Sequence, residues 1–158
     1  MIRPLVGLLA LAAAAGAMAI WGAKAEDRSG DTAPEAATTQ APAGLGEIMT
    51  VQQLRHIKLW FAGNADNWPL ADYEIDELKE GFSDVDQLLG GGTVNKAVGA
   101  QLSALEKAVA GKNHGAFVTA FDNLSAGCNS CHRQLDHGFI VIGRPTSLPY
   151  SDQTFAPK

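Results

Sequence analysis

From Glu47 to about Gly138 the apolar residues of this chain recur at helical spacing. The clearest stretch is WPLADYEIDELKEGFSDVDQLL, in which Ala71, Ile75, Leu78, Phe82, Val85 and Leu89 step by 4, 3, 4, 3 and 4. That spacing lines up one stripe on one face of an α-helix, and Asp and Glu crowd the remaining faces. Asn67 is placed to cap this helix, and Pro69 fits only within its first turn. In GGGTVNKAVGAQLSALEKAVAG, the glycines Gly90 to Gly92 break the chain. Thr93 is expected to cap the next helix, whose stripe is Val94, Val98, Leu102, Leu105 and Val109 and which ends at Gly111. A further segment carries Phe117, Phe121, Leu124, Cys128, Cys131 and Leu135, again stepping by 4, 3, 4, 3 and 4. Both cysteines therefore belong to the inward seam of a helix.

The first helical stretch, EIMTVQQLRHIKLWFAGNA, is less tidy: Ile48, Val51, Leu54, Ile57, Leu59, Trp60 and Phe61 are spread around most of its circumference. A helix apolar on nearly all sides needs a cover for its second face. Within it Met49, His56 and Trp60 share one arc, within roughly 40° at about 100° per residue. Four such helices joined by short Gly/Asn/Asp loops predict an all-α fold, an antiparallel up-down-up-down four-helix bundle over residues 47–138. After it, FIVIG and a segment with three prolines, RPTSLPYSDQTFAPK, predict an extended C-terminal tail over 139–158, laid across the bundle.

The chain start is of another kind. Met1-Ile2-Arg3 precedes an uncharged run from Pro4 to Ala23, then the small-x-small site Ala23-Lys24-Ala25. Residues 1–25 read as a bacterial export signal or, if retained, an N-terminal membrane anchor, since about 20 apolar residues span a bilayer. Cleavage is the leading reading, and both place the remainder outside the cytoplasm, in the periplasm. Residues 26–46, dominated by Ala, Thr, Pro, Gly and acids, cannot bury enough apolar surface to offset their ordering entropy, which predicts a flexible tether. Losing Arg3 and Lys24 with the leader takes 12 basic residues to 10 against an unchanged 17 acidic ones, a net charge of −7. That balance argues against nucleic acid and for docking on a partner protein with a basic surface, with solubility alone as the equal alternative.

The chemistry is concentrated in SAGCNSCHRQ, residues 125–134, which holds both cysteines of the chain with a histidine behind the second. A redox dithiol normally opens a helix in a βα setting, whereas this pair lies late in a helix of an all-α pattern. A disulfide within one turn would be strained and would leave His132 unexplained. Zinc normally takes four ligands, and only Cys128, Cys131 and His132 are local, with His137 a poor fourth. Covalent haem fits each constraint. Cys-x-x-Cys-His is the attachment pattern of c-type haem, and positions i, i+3 and i+4 share a helix face, so two sulfurs reach the two vinyl groups while the imidazole approaches iron.

With GCNSCHRQ on its last helix, preceded by FVTAFDNLSA, the chain resembles the class II c-type cytochromes, the cytochrome c′ group, over about residues 47–137. The resemblance implies one covalent haem c, thioethers at Cys128 and Cys131, and His132 as the proximal iron ligand. It also implies homodimers through the first two helices as one form of assembly. The chain departs from the family in its tail: 26 residues follow His132, where the family ends shortly after its motif. Such a tail is placed to shield the haem edge or the sixth iron position.

If the first and last helices are antiparallel, the first faces His132. His56 is then the leading candidate for the sixth ligand and Met49 the second, with an open site as the third arrangement. Trp60 is a candidate for packing on the porphyrin, with Phe61 and Trp68 weaker ones, although aromatics at helical spacing are more often plain core. His114 and His137 read as surface residues, and Arg133 and Arg144 as surface arginines with the chemistry to pair with propionates. No general acid, base or nucleophile constellation is visible, so the sequence predicts a one-electron carrier without turnover of its own. Its alternatives are a gas-binding protein with an open sixth site and a tethered haem subunit of a respiratory complex.

Overall fold

The structure, a computed structural model, describes residues 43–158; the expected leader and all but the last four residues of the expected tether lie outside the described residues. It is all-helical, with α1 (Leu45–Asn64), α2 (Trp68–Leu89), α3 (Thr93–Ala110) and α4 (His114–Gln134), and no strand among the described residues. Successive helices pack on one another and α1 also meets α4, an arrangement compatible with a four-helix bundle. No helix among the described residues is long and apolar enough to cross a membrane.

The stripes read from the sequence form the core except at two C-terminal ends, where Leu89 is 39% exposed and Leu135 is half-buried just past α4. Ala71, Ile75, Leu78 and Val85 of α2 meet Val98 and Leu105 of α3 and Phe117, Phe121 and Leu124 of α4, all nearly without solvent exposure. The helix ends follow local chemistry. Asn67 accepts from the Leu70 N–H at 3.3 Å and Asn113 from the Ala116 N–H at 2.9 Å, so each satisfies an amide that a helix start leaves unpaired. Pro69 falls in the first turn of α2 and Gly111 closes α3, as expected. Gly90, Gly91 and Gly92 all take positive φ (75°, 69° and 64°), a run that residues with a Cβ rarely adopt.

The start of α3 differs from expectation. Gly92 holds the cap position, and Thr93, the first helical residue, turns its hydroxyl back to the Gly90 carbonyl. The cap comes from α2, where the Asp86 carboxylate accepts from Val94 N–H at 2.6 Å and Asn95 N–H at 3.2 Å. A carboxylate beats a hydroxyl here because it takes two amides and carries charge that suits a helix N-terminus. Helix α1 likewise opens at Leu45, two residues ahead of the expected boundary at Glu47.

The irregular tail supplies the cover that α1 needs. Asn129 of α4 donates to the Ile142 carbonyl at 2.7 Å and accepts from the Ile142 N–H at 2.9 Å. Further along, Arg144 grips Asp122 of α4 through two nitrogens (2.8 and 2.6 Å) while its guanidinium lies over the Trp60 ring of α1. Phe155 is buried against Phe61, and Asn67 donates to the Phe155 carbonyl at 3.2 Å. On its other flank α1 is joined to α2 by Arg55 and Lys58, which share the fully buried Glu74, with Glu77 also bound to Arg55.

Candidate functional site

All four helices and the tail line one cavity of about 320 Å³, within the roughly 300–1,000 Å³ common for small-molecule and cofactor sites. Its wall is mainly apolar: Leu78, Phe82, Val85 and Leu89 from α2, Val94 and Val98 from α3, and Leu124 from α4. The three chemistry-bearing residues of the Cys-x-x-Cys-His run, Cys128, Cys131 and His132, all border it. From α1, so do Met49, Gln52 and His56. Residues 80 positions apart in sequence thus meet at one void, because α1 and α4 are neighbours.

Both thiols are free and buried, at 8% and 9% exposure. Burial, then the neighbouring Cys131 thiol, pushes the Cys128 thiol up to about 12, and burial followed by the Asp86 charge raises Cys131. At neutral pH both are therefore neutral thiols, the opposite of the activated thiolate that a redox dithiol needs. Nor do three His, Cys, Asp or Glu side chains gather into a metal-holding group among the described residues, so a donor set for zinc held by protein alone is not assembled.

His132 presents a defined nitrogen. Its Nδ1 lies 2.9 Å from the Ile140 carbonyl oxygen. A carbonyl only accepts, so Nδ1 carries the proton and Nε2 keeps the lone pair that a metal would take. His56 is nearly fully buried and its pKa is lowered to about 4 by desolvation, which keeps the ring neutral. Its Nε2 lies 2.8 Å from Ser125 Oγ, and that hydroxyl donates to the Phe121 carbonyl at 3.0 Å. With its single proton committed there, Ser125 accepts from His56, which fixes the proton on His56 Nε2. Phe121 packs against the same ring at 4.3 Å between centroids.

Gln52 adds a polar group that the sequence did not single out. It is buried at 4% exposure, and its Oε1 has no hydrogen-bond partner among the described residues. A buried amide oxygen left unpaired costs about 1–3 kcal/mol, so its place on the cavity wall calls for a hydrogen-bond donor, from water or an occupant. Gly81 makes room for it, since a methyl group there would collide with the Gln52 amide.

Not every candidate reaches the cavity. Trp60 shares an arc with Met49 and His56 but is not on the cavity wall; it packs on Phe121 at 4.8 Å beneath Arg144. The reason is height along the axis: at about 1.5 Å per residue, Trp60 lies about 6 Å beyond His56. Phe61 and Trp68 are core aromatics against Phe155 and Phe117. Arg144 is engaged by Asp122, and His114 stands exposed beside Asp66. His137 is exposed, yet it borders the cavity with Ile140 and Ile142 of the tail. Those tail residues and Ser125 had no local signal, because their partners lie far away in sequence. No known protein family, curated protein or solved structure matches the chain.

Proposed function

We propose that this chain is an exported monohaem c-type cytochrome that carries single electrons in the periplasm. One observation carries the reading: Cys128, Cys131 and His132 all border a single apolar cavity that α1 also lines with His56 and Met49. When bound, haem c supplies a one-electron ferric/ferrous couple whose potential follows axial ligation, burial and nearby charge. The residues present fit such a group. Cys128 and Cys131 would hold it covalently, and His132 Nε2 would take the iron while Nδ1–H stays on the Ile140 carbonyl. The apolar side chains of α2 and α3 would line the faces of such a group. In this reading the helices alternate up and down, as short loops and neighbour-on-neighbour packing support. Residues 1–25 direct export, 26–44 tether or trail the bundle, and the partner is a redox protein with a basic face.

A second reading, capture of a small gas at an open sixth position, is favoured by one contact. His56 Nε2 is engaged by Ser125, so His56 would have to surrender that hydrogen bond before ligating through this nitrogen. The test is expression in a host with working cytochrome-maturation machinery. Intact mass should equal mature polypeptide plus one haem, and Cys128→Ser with Cys131→Ser should abolish that addition. A low-spin spectrum that ignores carbon monoxide supports electron transfer; a ferrous form that binds it supports gas capture. Colourless protein at bare polypeptide mass overturns both.

A further inference from the structure

The tail does more than cover α1. Its path is fixed on α4 by the paired Asn129–Ile142 hydrogen bonds and by the two-nitrogen grip of Arg144 on Asp122. Between the end of α4 and the Asn129 clamp, the chain turns back so that the Ile140 carbonyl meets His132 Nδ1. Asn129 lies inside the Cys-x-x-Cys-His run itself, so the same short stretch of helix holds the histidine and the strap that restrains it. We infer that the C-terminal tail is a positioning strap for His132, with Asn129 the positioning residue: by holding Ile142, Asn129 sets the Ile140 carbonyl against Nδ1–H and so fixes the ring's tautomer, orientation and donor strength toward iron.

The inference rests on the proposed haem reading. A histidine whose distal N–H is held by a carbonyl is a more basic ligand in a fixed orientation, and losing such outer contacts costs a metal site about 10–100-fold in affinity or activity. A more electron-rich imidazole favours the ferric state, so losing the contact moves the midpoint potential in the positive direction. The His132–Ile140 contact is itself solvent-exposed, and without the clamp water competes for both groups.

The experiment compares haem-loaded wild type with Asn129→Ala and with Asn67→Ala, which frees the far end of the tail at Phe155 and uncaps α2 but leaves the Asn129–Ile142 clamp in place. Both variants should melt at lower temperature than wild type. Only Asn129→Ala should show a midpoint shifted to more positive potential. An unchanged midpoint in haem-loaded Asn129→Ala, or an equal shift in both variants, overturns the inference. Should Asn129→Ala fail to accumulate, hydrogen exchange of the His132 Nδ1 proton in ferrous wild type decides: protection supports the strap, and exchange as fast as that of free imidazole in the same buffer sinks it. Wild type lacking haem altogether overturns the site reading, and the strap falls with it.

Discussion

At the residue scale, His56 shows how burial sets chemistry. The ring is neutral because its site has no counter-charge to offset desolvation, and its pKa falls from 6.5 to about 4. In the unfolded chain it recovers the ordinary value, so between about pH 6.5 and 4 the unfolded state holds the extra proton. Keeping His56 neutral therefore contributes fully above pH 6.5, and the contribution disappears as pH falls through that window. At about 1.4 kcal/mol per pKa unit the loss is about 3 kcal/mol. Melting temperatures from pH 7 down to 4 should thus fall more steeply for wild type than for His56→Leu, and parallel curves would show that the ring gains its proton without unfolding cost. His56 could be singled out from the arc it shares with Met49. Its partner could not: Ser125 is 69 positions away and looks like any helix serine. The cysteines were legible for the opposite reason, since their chemistry is written in a spacing of three.

At the element scale, the amphipathic stripes of α2, α3 and α4 were legible because each buries one face, and a 4-3 rhythm records that directly. Helix α1 was harder because it is pressed from three directions, by α2, by α4 and by the tail. Its last turn illustrates how close the contacts run: a Cβ built on Gly63 would stand 2.1 Å from the Phe117 ring of α4. Replacing glycine by alanine inside a helix ordinarily gains about 0.5–1 kcal/mol. Here overpacking of a rigid, fully buried ring costs about 1–3 kcal/mol and wins. Gly63→Ala is therefore expected to destabilise the protein in chemical denaturation, whereas Gly46→Ala, with open space around it in the first turn, should be neutral or stabilising. The capping of α3 by Asp86 escaped the sequence because the accepting carboxylate sits across a three-glycine break, on the preceding helix.

At the scale of the whole molecule, a pattern of local periods announces four helices, but it is silent on where an irregular tail lies. The tail's anchors join residues 13, 22 and 88 positions apart, through side chains of ordinary surface type. Charge is a different matter, since it sums without regard to contact. Helix α2 carries seven acids and one lysine. Glu74 and Glu77 are consumed by α1, and Asp86 by the start of α3, but exposed Asp72, Glu80 and Asp84 make no ion pair among the described residues. Glu80 and Asp84 belong to the stretch of α2 whose other face, through Leu78, Phe82 and Val85, lines the cavity. A one-electron reagent approaching that wall meets negative potential before it meets protein. Fields of this kind change encounter rates by roughly 10–1,000-fold at low salt and fade once the Debye length falls to about 10 Å near 0.1 M. A cationic reductant should therefore react faster with the haem-loaded protein than an anionic one of equal driving force. Raising ionic strength should bring the two rates together, and Glu80→Lys with Asp84→Lys should narrow the gap without added salt. Equal rates for both reagents at low salt would mean that electrons enter elsewhere, away from the acidic side of α2.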